Sequence, residues 1–210
     1  GQYRYAITLG AANAPGRRTL TGGQFTVLPG KPPPFTRVSP RNPRYFEFAD
    51  GQFFYPIGWN MPYPVDRPYG IDYVPYLRPE QSLAAMLRML DDLADSGGNF
   101  IRFWVSDWWN GIEWNAGVDN YGGIGRYNLK NAWLTDQVLE HCRQRKIHVL
   151  FTTQNHVQLS LGYSWPLHPY SRPWGGFLTY PDEFWTHPQV PPLLKKRAEY
   201  MVARYADAPV

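Results

Sequence analysis

Arg102 stands inside the run Gly98-Asn99-Phe100-Ile101-Arg102-Phe103-Trp104-Val105, whose other residues from Phe100 onward are all apolar. A guanidinium in such a run is costly unless partners and a use hold it there, which makes it the first candidate for chemistry. Around it in the sequence lie three short polar and aromatic groups: Trp59-Asn60, then Trp104 with Asp107-Trp108, then Asn155-His156. Flat apolar rings beside Asn, Asp and Arg suit a ligand with apolar C–H faces and hydroxyl edges. Sugars have that surface.

Other chemistries find little support. Cys142 is the only cysteine, so no disulfide framework and no thiol metal site is expected, and a small buried residue is its default reading. His141, His148, His156, His168 and His187 show no paired zinc-type spacing. No metal or other cofactor is expected, the one alternative being an oxygen-ligated calcium in the Asp- and Asn-rich stretch 107–120. No phosphate loop, no serine elbow and no Cys–His pairing is present. Asp66, Asp72, Asp107, Glu113, Asp119 and Glu183 all fall in loops, where a turn former, a cap or a rim contact is the ordinary reading. Among them Asp107 is the replacement acid if a catalytic carboxyl must be found within this sequence.

Composition narrows the partners. The balance of 21 Lys and Arg against 17 Asp and Glu gives a net charge of +4, and the basic clusters Lys195-Lys196-Arg197 and 143–146 fall on helix backs or ends. Nucleic acid is not an expected partner. No apolar run reaches the length of a membrane span, so no membrane partner is expected either. The unusual quantity is aromatic content, 9 Trp, 15 Tyr and 11 Phe, with several Trp in Gly-, Asn- and Pro-rich loops where core packing is not their whole use.

These residues need elements to position them. Residues 1–29 alternate as strands, and Gly30-Lys31-Pro32-Pro33-Pro34 opens a stiff connector over 30–42. Aromatic runs at 45–48 and 52–55 flank Ala49-Asp50-Gly51, a hairpin signal. A short strand then ends at Trp59-Asn60. A helix follows over 79–96, with Leu83, Met86, Leu87, Leu90, Leu93 and Ala94 at helical spacing and Gly97-Gly98 as its stop. The strand 99–105 comes next, then a second helix capped by Asn128 and running to about Arg145, a third strand over 147–153, and a last helix after Pro191-Pro192. Strands apolar on both sides, alternating with helices, argue for a parallel sheet in an α/β fold. Strand-to-helix loops are long and aromatic while helix-to-strand connections are short, which puts function at the carboxyl ends of the strands, the functional end of a (β/α)₈ barrel. A dinucleotide-binding alternative would need a Gly-rich turn after its first strand, and none is present.

On Ile57-Gly58-Trp59-Asn60, on Gly97-Gly98-Asn99-Phe100-Ile101-Arg102-Phe103-Trp104 and on the strand leading to His156, the sequence resembles the amino-terminal half of a clan A glycoside hydrolase, a family-5-like barrel of the cellulase or mannanase type. The resemblance implies an incomplete (β/α)₈ TIM barrel over 43–210, holding the first three βα units, after the last strands of a β-sandwich over 1–29. In that family a second-strand arginine reaches the neighbourhood of the catalytic nucleophile, and Arg102 matches it. Retaining members set two carboxyl groups about 5–5.5 Å apart, and a guanidinium beside the nucleophile keeps it ionised and oriented. The resemblance puts both catalytic glutamates beyond residue 210. His156 matches a histidine that closes the third strand and lines the sugar pocket. Gln154-Asn155 replace the acidic residue usual before it, which makes Asn155 a rival contact.

The expectation is therefore part of a secreted, retaining glycoside hydrolase, extracellular or periplasmic, cleaving a β-linked polysaccharide or oligosaccharide. Arg102 has the catalytic supporting role, and Trp59, Asn60, Trp104, Asp107, Trp108, Asn155 and His156 contact the carbohydrate. Trp108 and Trp109 are adjacent, so at most one of them faces a given subsite. The 210 residues alone are expected to be inactive and poorly soluble, because three of eight strands cannot close a barrel. The sequence leaves the oligomeric state open. The alternative is a carbohydrate-binding barrel without hydrolysis.

Overall fold

The computed structural model describes residues 1–9, 16, 18–28, 35–61, 64, 79–107, 109–118 and 120–208. The chain divides into two compact units, Gly1–Pro33 and Pro34–Val210. In the first, β1 (Gln2–Leu9) and β2 (Arg18–Thr26) run antiparallel, with a bulge between Tyr5 and Ile7. Gly22 sits at the bulge, where a side chain would run into the Tyr5 carbonyl. Tyr3 stacks on Phe25 with ring centroids 5.4 Å apart. Both rings stay half exposed, so the ribbon encloses no core.

The second unit opens with a small antiparallel sheet of β3 (Thr36–Val38), β4 (Phe46–Phe48) and β5 (Phe53–Phe54). The β4–β5 turn has the expected chemistry: Gly51 takes φ of 86°, and the Asp50 carboxylate accepts from the Gln52 N–H at 3.0 Å. Glu47 on β4 is buried and accepts from Arg37, Ser39 and Arg41, which holds its carboxyl down at about 2.

Then come β6 (Gly58–Met61), α1 (Pro79–Asp95), β7 (Phe100–Trp104), α2 (Leu129–Arg145), β8 (His148–Thr152) and α3 (Val190–Tyr205). Strands β6, β7 and β8 form one parallel sheet in sequence order. Local signals set the helix ends. Asn128 accepts from the Asn131 N–H at 3.0 Å to start α2, and Lys146 in the left-handed region ends it. Ile101, Phe103 and Val149 point to one side, where Met86, Leu90, Val138, Leu139 and Cys142 from the helices close the main core. Burial pushes the Cys142 thiol up to about 12, which removes its nucleophilic character.

The antiparallel sheet ties to the amino ends of the parallel strands. Asn99, just before β7, accepts from the Ile57 N–H at 2.8 Å and donates to the Tyr55 carbonyl at 3.1 Å. His148, opening β8, lies against Phe48 and Phe54. The opposite, carboxyl end belongs to two long loops, 105–128 and 153–189, which pack on each other. Asn115 donates to the Leu167 carbonyl at 2.6 Å, and Trp114 meets His168 edge to face. The second loop winds through four short 3₁₀ turns around its own core of Trp165, Tyr170, Leu178, Phe184 and Val190.

This arrangement corrects the expected fold. Three α-helices and three small sheets, two antiparallel and one parallel, are present among the described residues, and they do not make an incomplete (β/α)₈ barrel. The amino-terminal unit holds one antiparallel strand pair among its described residues. Alternating strand and helix periods report that each strand has a helix beside it. They carry nothing about tilt, stagger or closure, which decide whether a sheet becomes a barrel. No helix among the described residues is long and apolar enough to cross a membrane.

Candidate functional site at the carboxyl ends of the parallel strands

Side chains alternate across a sheet, so the face opposite the helix-packed core carries Asn60, Arg102, Trp104 and Leu150. The register sets Asn60 beside Arg102 and Arg102 beside Leu150. One oxygen organises the group. Asn60 Oδ1 accepts from Trp104 Nε1 at 3.1 Å and from Arg102 Nη1 at 3.5 Å. The Arg102 guanidinium lies 5.1 Å from the centre of the Trp104 ring, a cation–π contact. Arg102 is exposed, and among the described residues no carboxylate pairs with it. Its fork therefore stays open to an anionic or hydroxyl partner.

His156 joins from the loop after β8, its ring edge-on to Trp104 with centroids 5.8 Å apart. Asn155 beside it is buried and exchanges hydrogen bonds with Gln158: the Gln158 N–H donates to Asn155 Oδ1 at 3.2 Å, and the Asn155 N–H to Gln158 Oε1 at 3.3 Å. This leaves Asn155 Nδ2 buried without a partner.

Asp107 occupies the turn after β7, which Asn110 holds by accepting from the Ser106 N–H and donating to the Trp104 carbonyl. The residue is only 2% exposed. Its Oδ2 accepts from the Ser164 hydroxyl at 3.4 Å, while Oδ1 is buried without a partner. Burial outweighs these donors, the Gln158 amide and its own backbone N–H, and pushes the carboxyl up to about 6. An acid of that kind gives and takes a proton near neutrality.

Of the residues singled out in the sequence, Asn60, Arg102 and His156 come together as exposed groups around the Trp104 ring, which is itself buried at 6% exposure, with Asp107 and Asn155 buried in the loops behind. Trp59 does not join them. It pairs with Ile101, so it faces the other side of the sheet. Trp108 lies outside the described residues, as do Asp66, Asp72 and Asp119. Glu183 caps its own 3₁₀ turn by accepting from the Tyr180 N–H at 3.0 Å.

Three further residues complete the loops: Gln158, which sequence reasoning passed over, and Glu113 and Arg197, which it read as an ordinary loop acid and part of a solvated basic cluster. Glu113 is buried, accepts from the Gly125 N–H at 2.5 Å and the Tyr170 hydroxyl at 3.3 Å, and pairs with Arg197 at 3.4 Å. Arg197 also donates to Gln154 at 2.9 Å. Gln158 bridges Gln154 and Asn155. An acid in a loop and a basic cluster on a helix carry no mark of such pairing, since their contact spans 84 positions. Among the described residues no three metal-ligating side chains converge. Compared with known proteins, the sequence matches no family model and no curated protein.

Proposed function

We propose that this chain is part of a retaining glycoside hydrolase acting on a β-linked polysaccharide or oligosaccharide, and that the exposed groups Asn60, Arg102 and His156 around Trp104 contact its sugar. The observation that supports the reading is the shared Asn60 oxygen, which fixes an exposed guanidinium and a tryptophan side by side at the carboxyl ends of parallel strands. Asn60, His156 and Arg102 address a sugar's hydroxyls and charge, and the buried Trp104 ring backs the Arg102 guanidinium. Ligands of open parallel sheets bind at that end of the strands.

In the retaining reaction one carboxylate attacks the anomeric carbon and a second carboxyl protonates the leaving oxygen. The open fork of Arg102 suits the first role's partner, holding a carboxylate ionised and aimed. In the proposed reading that pair is two glutamates outside the described residues.

The test is turnover. The full reading frame, assayed on β-linked glucan, mannan and xylan oligosaccharides, should release reducing ends, and Arg102→Ala should lower kcat by about 100-fold or more. Unchanged turnover in Arg102→Ala removes the assigned role. Binding without hydrolysis favours the second reading, a non-catalytic carbohydrate-binding protein.

A further inference from the structure

The antiparallel sheet, at the amino ends of the parallel strands, carries a second aromatic and polar surface that the site described above does not use. Register sets Arg37, Glu47 and Phe53 in one row across β3, β4 and β5, so their side chains share a face. It is the face turned away from Phe48 and Phe54, which pack with His148 on the other side. Two more rings join Phe53. Tyr45 meets it edge to face with centroids 5.6 Å apart, and Tyr55 stacks on it at 6.3 Å. The three rings are 48% to 62% exposed, so they form no part of the core.

Beside the rings, one carboxylate holds two arginines. Glu47 Oε1 accepts from Arg37 Nε at 3.1 Å and Nη2 at 2.8 Å, and Oε2 accepts from Arg41 Nε at 3.2 Å and Nη2 at 2.9 Å. Arg41 Nη2 also donates to the Gly51 carbonyl at 2.6 Å. The Glu47 side chain is 2% exposed and those of Arg37 and Arg41 are 52% and 70% exposed, so solvent meets guanidinium and not carboxylate. Nη1 of each arginine meets no acceptor among the described residues. Residues 35–57 hold three arginines, Arg37, Arg41 and Arg44, against Glu47 and Asp50, a balance of +1. Paired hydrogen bonds fix the two guanidinium planes in advance, which lowers the ordering cost of a ligand that uses their free donors.

We propose that the face of Arg37, Arg41, Tyr45, Phe53 and Tyr55 binds an anionic glycan, a chain of uronate-bearing sugars. Its C–H faces lie on the rings and its carboxylates on the free Nη1 donors. Charge selects against a neutral glycan, which would leave two pinned cations with hydroxyls alone, whereas a carboxylate is the partner that a guanidinium fits best. Size selects against a protein partner: a stable protein interface takes about 20–30 residues a side, far more than these few side chains supply. A glycan presents a C–H face and a carboxylate on each unit, so a few rings and cations are enough. The inference shares with the function proposed above a polysaccharide ligand but not its site, which lies at the opposite ends of the parallel strands.

The test is affinity electrophoresis of the full reading frame through gels containing polygalacturonate, its methyl ester, alginate or neutral mannan. Retardation is expected in polygalacturonate or alginate, whichever uronate fits the face, and not in the methyl ester or mannan. Phe53→Ala combined with Tyr55→Ala should raise the dissociation constant about tenfold. Arg41→Gln, which leaves Glu47 with Arg37 and Ser39, should raise it about threefold. Lys195→Gln removes the same charge from an exposed position on α3 and should leave it unchanged. Absence of retardation in both uronates overturns the proposal. So does equal retardation in the methyl ester, an equal loss in Lys195→Gln, which marks diffuse attraction to a cationic protein, or retardation that survives loss of both rings. If Arg41→Gln does not fold, the two exposed rings and the methyl ester decide between the same outcomes. No turnover is read, so failure of this surface and failure of the glycosidase reading are separate results.

Discussion

Replacing Asp107 with Asn should make the protein more stable than the original at neutral pH and above, and not in strong acid. The carboxyl has a folded value of about 6 against 3.8 for the free side chain. Below pH 3.8 it is neutral in both folded and unfolded chains and contributes no pH dependence. Between 3.8 and 6 the unfolded chain gives up the proton and the folded one keeps it, so stability falls as pH rises. Above 6 the full penalty is in force, and 2.2 pH units at 1.36 kcal/mol each come to about 3 kcal/mol. Asparagine has the same shape and no charge to lose. Urea unfolding of both proteins at intervals from pH 4 to pH 8, analysed by linear extrapolation, gives the difference at each pH with the other titrating groups cancelling. The stability of Asp107→Asn relative to the original should rise by about 2.5 kcal/mol across that range, because part of the penalty is already present at pH 4. A difference that stays flat with pH, or moves the other way, refutes the claim that this buried carboxyl is destabilised by its surroundings.

His168 shows the reverse sign: burial among Trp114, Trp165, Tyr170 and Phe184 drives its value down to about 3, so its neutral ring stabilises fully above 6.5 and progressively less as pH falls toward 3. His168→Gln should flatten that acid-side slope in thermal unfolding, and an unchanged slope counts against it. Arg197→Met should cost about 3 kcal/mol or more, because Glu113 is left buried without its cation, while Arg197→Met with Glu113→Gln should recover part of the loss; equal losses would mean that the ion pair is not the cause. An apolar groove of about 710 Å³ between the end of β8 and α3, lined by Phe151, Leu194, Met201 and Val202 with Trp185 at its rim, should make the 210-residue chain self-associate. Val202→Glu should shift its sedimentation toward the monomer, whereas a monomeric original would contradict this.

Local structure was legible where short-range chemistry decides it. Asn128 as a cap, Gly97-Gly98 as a stop and Asp50-Gly51 as a turn each act over a few residues, and each helix and strand that they delimit is present within a residue or two of its expected bounds. The parallel direction of β6, β7 and β8 follows from the same alternation of strand and helix. The barrel did not follow, because closure is a property of tilt and stagger among strands and no residue period encodes it. Among the residues grouped at the carboxyl ends, Arg102 drew notice as a charge in an apolar run, although it lies exposed on the sheet's other face and pays no burial cost, and Asn60 and His156 by standing at strand ends. Trp59 misled for a physical reason: adjacent residues on a strand face opposite ways, so Trp59 and Asn60 cannot both serve one surface. Gln158 was silent, and Glu113 and Arg197 gave no sign of their pairing, since loops assemble such contacts over long range from residue types common on any surface.

The most direct measurement is a crystal structure of the full reading frame, its turnover blocked by Arg102→Ala, soaked with a β-linked oligosaccharide. The account predicts sugar hydroxyls on Asn60 and His156. A sugar bound only elsewhere on the chain, or these two side chains left uncontacted in a complex whose sugar is well ordered, would contradict it.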